Sequence, residues 1–294
     1  MKYLILMNPL SRGKKGKKLW KHFFAELDRQ GVERDIFIFS TIDEAFEKAK
    51  NLDTSIYQGV IAAGGDGTIR AAAAGVLANP DPEIKFGVLY SGTSPDFCKH
   101  YRIPITPAAA VETIVQGKIC ETPFLTADND PFFCSCNPGM GAEVAARANR
   151  WRPYWGDFCG TLLALGASLL KNRRYTFKVN GQIIKECNHL LFTRMPYIAG
   201  GLKVPVPLLK ENEFLLWYLQ DVSRSRYLQI LPRLYRGQPC GKWQIFSDEV
   251  ILEAPEKAEI PFEYDGDPQG KLPLTIKLSP RRLNLIVPSG ELPQ

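Results

Sequence analysis

Over its first hundred residues the chain alternates between short apolar runs and stretches of helical periodicity. That rhythm calls for a mostly parallel sheet covered by helices on both faces. Tyr3–Met7, Asp35–Phe39, Gly59–Ala63 and Phe86–Tyr90 read as strands. From Lys15 to Gln30, Leu19, Trp20, Phe23, Phe24 and Leu27 recur at three- and four-residue spacing, an amphipathic helix that Gly31 can end. Ser40 or Thr41 can cap the next helix, with Ala45, Phe46 and Ala49 turned inward, and an alanine-rich helix follows from Ile69 to Ala78. Loops at the carboxyl ends of parallel strands gather along one edge, where open α/β sheets take their ligands. Three such loops are rich in Gly, Ser or Thr: Asn8–Gly13, Gly64–Thr68 and Ser91–Asp96.

The rhythm changes after about residue 120. Phe132–Cys136, Tyr175–Val179, Ile183–Cys187, Leu190–Thr193, Phe214–Leu219, Lys242–Phe246, Val250–Ala254 and Ile260–Tyr264 are short, β-rich and separated by turn residues, the pattern of an antiparallel β-sandwich. One helical stretch, Asp157–Lys171, interrupts them. The expected organisation is an α/β domain over residues 1–121 and a sandwich over 122–279, with 280–294 returning to the first domain through a strand at Asn284–Val287. A chain of 294 residues is long enough for two such cores.

Charge narrows the partners only slightly. Lys and Arg number 37 against 31 Asp and Glu, compatible with phosphate-bearing ligands but too even to single out nucleic acid. The seven cysteines contain no C-x-x-C pair and read as buried, reduced thiols, with Cys134 and Cys136 on one face of a single strand. Three scattered histidines argue against a histidine metal site. Lys2–Met7 lacks the preceding basic residues of a secretory signal, and the apolar stretch Cys159–Leu170 falls short of the roughly 20 residues that span a bilayer. The expectation is a soluble, cytoplasmic protein. Trp151, Tyr154, Trp155 and the apolar helix to Leu170 read as core. Their arginine- and lysine-rich flanks (Arg147, Arg150, Arg152, Lys171, Arg173, Arg174) would also suit peripheral docking on an anionic membrane.

Gly64-Gly65-Asp66-Gly67-Thr68 follows a strand and opens a helix. Glycines let backbone N–H groups approach a ligand, and the helix N-terminus adds partial positive charge, so the loop can cradle an anion. It is neither a Walker A loop nor G-x-G-x-x-G. Asp66 either serves chemistry beside a cation or a proton, or caps the helix; both readings stand at this level. Ser11, Arg12 and Lys14, Lys15, Lys17 and Lys18 form a second candidate phosphate site, or a solvated helix face. Asp96 could equally cap a helix, and Asp265-Gly266-Asp267 sets two carboxylates around what is otherwise a hairpin turn.

Taken in order, the segments resemble one family. Asn8-Pro9-x-Ser11-x-Gly13, Gly64–Thr68 with Gly75 beyond it, and Ser91-Gly92-Thr93-x-x-Asp96-Phe97 ending at Ile103-Pro104 resemble the diacylglycerol kinase catalytic domain, which includes bacterial soluble lipid kinases and sphingosine kinases. The resemblance continues through Asn137-x-Gly139-x-Gly141-Ala142-Glu143-Val144, the helix ending Lys171–Tyr175, Ala199-Gly200-Gly201, and Asp265-Gly266-Asp267, which looks like the family's Asp-Gly-Glu. It implies a phosphofructokinase- and NAD-kinase-like α/β nucleotide-binding domain, a β-sandwich, and ATP in the cleft between them.

By the same resemblance, Asn8, Ser11, Arg12 and Gly13 would contact phosphates, Thr41 would lie near the nucleotide, and Gly64, Gly65, Asp66, Gly67 and Thr68 would form the phosphate loop, with Ser91 and Thr93 lining its pocket. Asp66, Asp265 and Asp267 are the carboxylates available to hold Mg²⁺ and to take a proton from the substrate hydroxyl. The implied reaction is transfer of the γ-phosphate of ATP to a lipid alcohol, most simply diacylglycerol, at a membrane surface. An NAD-kinase-like enzyme and a catalytically silent binding protein are the alternatives, and a homodimer is left open. The chain departs from the family pattern at Arg70-Ala71-Ala72 (for Asn-Glu-Val), at Ser94-Pro95, at Asp267, and at Asn212-Glu213-Phe214, where Glu213 alone keeps a charge of a structural Mg²⁺ site.

Overall fold

A computed structural model of the chain describes residues 2–11, 13–198, 201–255 and 258–290, the side chains at 14, 15, 17, 153, 157, 158 and 228 excepted. Residues 1–124 and 280–294 form one compact unit and 125–279 a second.

In the first unit, β1 (Lys2–Met7), α1 (Gly13–Arg29), β2 (Arg34–Ile38), α2 (Ile42–Lys50), β3 (Tyr57–Gly64), α3 (Asp66–Ala78) and β4 (Lys85–Tyr90) alternate as their periodicity dictates. Two helices, α4 (Asp96–His100) and α5 (Pro107–Gln116), and β5 (Lys118–Thr122) complete the run. The sheet order is β2-β1-β3-β4, then the C-terminal strand Leu283–Val287, then β5. Every pairing is parallel except the last, in which β5 runs against Leu283–Val287. β1, β3 and β4 are almost wholly apolar because both their faces are covered. On one face Ile5, Ile61 and Leu89 pack against Trp20, Phe23 and Leu27 of α1 and Val111 of α5. On the other, Leu4, Leu6, Val60 and Ala62 are buried where α2 and α3 lie.

The alanine content of α3 has a steric cause. A Cβ on Gly75 would stand 2.4 Å from the Phe46 carbonyl and 2.6 Å from the Ala49 methyl, so α2 and α3 touch backbone to backbone. Ala71 and Ala72 are buried in the same helix, leaving no place for the longer acidic side chain of the family pattern.

The second unit runs β6 (Leu125–Ala127), β7 (Asp130–Phe132), β8 (Ser135–Pro138), α6 (Met140–Lys171), β9 (Tyr175–Val179), β10 (Gln182–Thr193), β11 (Tyr197–Ile198), β12 (Leu202–Lys203) and β13 (Phe214–Gln220). It continues with α7 (Arg224–Tyr235), β14 (Lys242–Phe246), β15 (Val250–Glu253), β16 (Pro261–Tyr264), β17 (Asp267–Lys271) and β18 (Leu274–Leu278). All of these strands except the β11–β12 ribbon join one 11-stranded antiparallel sheet. The sequence suggests two strands at 183–187 and 190–193. The structure has one 12-residue strand, β10, bulged around Glu186, whose φ is +54°. Its first part pairs with β9 and its second with β13 and β8, so the bulge redirects the strand from one part of the sheet to another. Strands from both ends of the sheet order then share one core, including Phe132, Phe177, Phe192, Phe262 and Ile276. On the opposite face Leu191, Leu215 and Trp217 lie beneath Tyr227, Ile230 and Leu234 of α7.

Three sequence expectations are corrected. Phe132–Cys136 is not one strand: β7 stops at Phe132, and Cys134 sits in a bend before β8, so it shares no strand face with Cys136. The helix expected from Asp157 begins at Met140 and breaks at Gly156 (φ 74°, ψ 169°) into two arms. All seven cysteines are free, but only Cys98, Cys136 and Cys187 are buried, and Cys159 is exposed. No helix among the described residues is long and apolar enough to cross a membrane.

Candidate active site

At the carboxyl edge of the parallel sheet three loops interlock. Asn8, just past β1, donates its amide to Thr68 Oγ1 at 3.4 Å. Ser11 donates its hydroxyl to the Ser91 carbonyl at 3.0 Å and accepts the Ser91 hydroxyl at 2.9 Å. The Ser91 amide donates in turn to the Gly64 carbonyl at 2.8 Å. Glycine is needed twice here. A Cβ on Gly64 would overlap Thr68, and one on Gly92 would stand 2.7 Å from the Gly65 Cα. Asn8, Ser11, Gly64, Gly65, Thr68 and Ser91 are thereby brought together.

Gly65, not Asp66, is the N-cap of α3, and it has no side chain with which to cap. The reading of Asp66 as a cap is therefore corrected: it occupies the first helical position. The first-turn amides of any helix lack intrahelical acceptors, so Gly65 leaves them available to an anion. Asp66 Oδ2 accepts the Tyr90 hydroxyl at 3.0 Å. Burial drives the Tyr90 phenol well above its ordinary range, and the charge and hydrogen bond of Asp66, then the charges of Cys98 and Asp96, push the same way. A cation or phosphate-bound metal beside Asp66 would meet a fixed carboxylate.

Asp96 is a residue the sequence left undecided. It is buried in the first turn of α4 behind Pro95, which takes the N-cap position where a missing N–H costs nothing. Ser94 and Gly92 are absent from the positive-φ residues, so serine in place of the family's glycine is unstrained. Thr93 is exposed in the same loop. Thr41 caps α2, accepting the Glu44 amide at 3.3 Å, in the connection between β2 and α2. Gly13 begins α1. Arg12 lies outside the described residues, as does Gly200.

In the second unit, Asp265 and Gly266 both have positive φ (53° and 87°) and join β16 to β17 in a two-residue turn of the kind Asp-Gly favours. The Asp265 carboxylate accepts three backbone amides, from Phe133 at 2.9 Å, Cys134 at 2.7 Å and Ser135 at 3.2 Å. These bonds bend the chain between β7 and β8 and explain the interrupted strand. Asp267 starts β17 on the other side of the turn.

Glu263 beneath this turn was missed from sequence. It is 4% exposed. One carboxyl oxygen accepts the Asn137 amide and the other the Gly266 N–H at 2.7 Å. Burial pushes its carboxyl up to about 8 against these two hydrogen bonds, and the charges of Asp265 and Asp267 add to the rise. The available signal was a glutamate within the apolar run Ile260–Tyr264, two residues before the turn. Glu213, by contrast, uses its carboxylate locally, accepting the Lys210 amide at 2.9 Å. Among the described residues no group of three or more His, Cys, Asp or Glu is arranged to hold a metal.

The chain is similar to known diacylglycerol kinases. Residues 2–127 match the model of the diacylglycerol kinase catalytic domain. A diacylglycerol kinase of Staphylococcus carnosus is 24% identical over 92% of this chain and 89% of its own length. One from Staphylococcus aureus is 21% identical over 97% of this chain and 92% of its own. Among solved structures, a diacylglycerol kinase from Bacillus anthracis aligns with a TM-score of 0.68 at 15% identity, covering 97% of this chain and 96% of that one. Another structure from the same organism reaches 0.76 at 16%, over 97% and 95%. The solved structures carry the two-part fold across.

Proposed function

We propose that the chain, whose residues 2–127 match the diacylglycerol kinase catalytic domain, is a lipid kinase that transfers the γ-phosphate of ATP to the hydroxyl of diacylglycerol or a related lipid alcohol. The observation that carries this reading is the interlocked loop edge. There the first turn of α3, opened by Gly65 and Gly67, faces the same edge as the hydroxyls of Ser11 and Ser91. Phosphoryl transfer asks a protein mainly to position phosphates, to neutralise their charge, and to accept one proton from the attacking hydroxyl.

In this account the amides of Gly64–Thr68 and the side chains of Asn8, Ser11 and Ser91 hold the phosphates, Arg12 offsets their charge, and Thr41 and Thr93 border the nucleotide. Mg²⁺ takes few protein ligands beside a polyphosphate, commonly one or two carboxylates, which Asp66 fits. When bound, the metal supplies charge neutralisation on the transferring phosphoryl group. Asp265, Asp267 or Asp66 accepts the hydroxyl proton. Asp265 is held rigidly by its three amides, and Asp267 rides on the turn that Asp265 anchors.

The test is transfer of labelled γ-phosphate from ATP·Mg²⁺ to a mixed lipid extract in detergent micelles, with NAD in a parallel tube. Label in lipid is expected. Label in NAD alone would move the chain to an NAD-kinase-like activity, and label in neither, with ATP still bound, would make it a silent binding protein.

A further inference from the structure

The two arms of α6 form a helical hairpin. Gly160, Ala164 and Ser168, spaced by four, are buried, and a Cβ on Gly160 would stand 3.0 Å from the Arg152 amide nitrogen, so the arms meet backbone to backbone. Both ends are pinned. Arg147 donates to Ser168, and Glu143 pairs with Arg173 at 2.6 Å and accepts the Tyr175 hydroxyl at 2.7 Å. Burial works to raise the Glu143 carboxyl, but these hydrogen bonds and the arginine charge outweigh it and hold the group below its ordinary range.

What the hairpin presents is unexpected for a part of the chain whose sequence reads as core. Tyr154 is 82% exposed and Trp155 64% exposed, side by side at the Gly156 break. Behind them Cys159, Leu162, Leu163 and Leu170 form an exposed stripe at helical spacing along the second arm, opposite the buried Gly160–Ala164–Ser168 row. Exposed Arg150 lies before the break and exposed Lys171 after the stripe.

We propose that this hairpin, led by Tyr154 and Trp155, is the surface that seats the protein on an anionic lipid bilayer. Aromatic residues with one polar edge favour the bilayer interface, leucines favour the acyl boundary beneath it, and flanking arginine and lysine meet anionic headgroups. Charge also decides between a bilayer and a second copy of the chain. Residues 140–175 carry six basic side chains against two acidic ones, so two hairpins would repel where an anionic surface attracts.

The hairpin is tied to the carboxylate turn. Asn149 on the first arm donates its amide to the Gly266 carbonyl at 3.4 Å. Six residues of helix separate Asn149 from Trp155, roughly 9 Å at 1.5 Å per residue. Docking at the tip would therefore hold Asp265 and Asp267 about one headgroup layer from the interface, where a lipid hydroxyl lies. This step rests on the lipid-kinase reading for its purpose, while the docking itself is measured without catalysis.

The experiment uses vesicles of phosphatidylcholine with and without phosphatidylglycerol, some carrying lipids brominated on their acyl chains. The full-length protein should bind the anionic vesicles, more weakly as salt rises, and brominated lipid should quench its tryptophan emission. Trp155→Phe should abolish the quenching while still binding. Tyr154→Ala/Trp155→Ala should bind at least about tenfold more weakly, yet melt like wild type and phosphorylate lipid in detergent micelles at the wild-type rate. Equal vesicle binding by the double variant would overturn the proposal, as would a wild-type dimer that this variant dissociates. Wild-type docking with Trp155 quenching, but no lipid phosphorylated in any form, would support the surface and remove only the kinase reading.

Discussion

Glu263 reaches the apex of the Asp265–Asp267 turn directly: its buried carboxyl accepts the Gly266 amide at 2.7 Å while its other oxygen takes the Asn137 amide across the β16–β8 pair. A carboxyl pushed up to about 8 in the fold is protonated in the native state where the unfolded chain has already released its proton. Its stabilising contribution is complete below the unfolded value near 4.5 and is lost as pH rises through about 8. Thermal melts of wild type and Glu263→Gln between these limits should show wild type losing stability with rising pH and the variant losing less. Parallel slopes would exclude a buried titrating group here.

Gly67 separates ligand contact from folding. A Cβ placed there meets no atom within 4 Å, so Gly67→Ala should leave the melting temperature unchanged or raise it slightly, as alanine gains up to about 1 kcal/mol over glycine in a helix. If the first turn of α3 cradles phosphates, the added methyl should weaken ATP binding by about tenfold or more, an estimate for losing close backbone approach. Calorimetric titration reads it, and wild-type affinity in a fully folded Gly67→Ala would argue against the cradle.

The hydrogen bond from Tyr90 to Asp66 is a partly buried bond to a carboxylate, of a type worth roughly 1.5–3 kcal/mol. Tyr90→Phe should lower stability by about that amount in denaturant titration. No change would show that the tyrosine does not hold Asp66 in solution.

Glu143 ties the start of α6 to the residues after its end. Glu143→Gln weakens its pairs with Arg147 and Arg173, and amide hydrogen exchange along 157–171 should quicken while β10 stays protected. Uniform exchange in both proteins would mean the small-residue contact alone holds the hairpin.

Much of this was legible in the chain itself. The parallel sheet follows from apolar runs and helical periodicity, and the loop edge from Gly, Ser and Thr placed just after β1, β3 and β4. Other features depended on residues far away in sequence. The break between β7 and β8 is set by Asp265, more than 130 residues on, which no local pattern at Phe132–Cys136 reveals. The bulge that merges two expected strands into β10 needs a positive φ at Glu186, a residue with no special preference for it. Trp155 read as core because apolar periodicity tells which face a helix segregates, not whether anything covers that face.

Asp66 and the carboxylate turn carry the chemistry in this account, but they are not equally clean to test. Asparagine at 265 could keep its oxygen on the amides of Cys134 and Ser135 only by turning its NH2 toward the Phe133 N–H, donor against donor, so that change should destabilise the fold as well as the reaction. Asp66 accepts the Tyr90 hydroxyl, a bond that the amide oxygen of asparagine can still accept. The most direct measurement is therefore the initial rate of phosphatidic acid formation from diacylglycerol micelles and γ-labelled ATP·Mg²⁺, for wild type and for Asp66→Asn melted in parallel. The account predicts labelled phosphatidic acid from wild type and a rate lower by about two or more orders of magnitude from a folded Asp66→Asn, the scale on which removing a positioned charge-bearing group acts. Equal rates from the two proteins, or no labelled lipid from wild type, would contradict it.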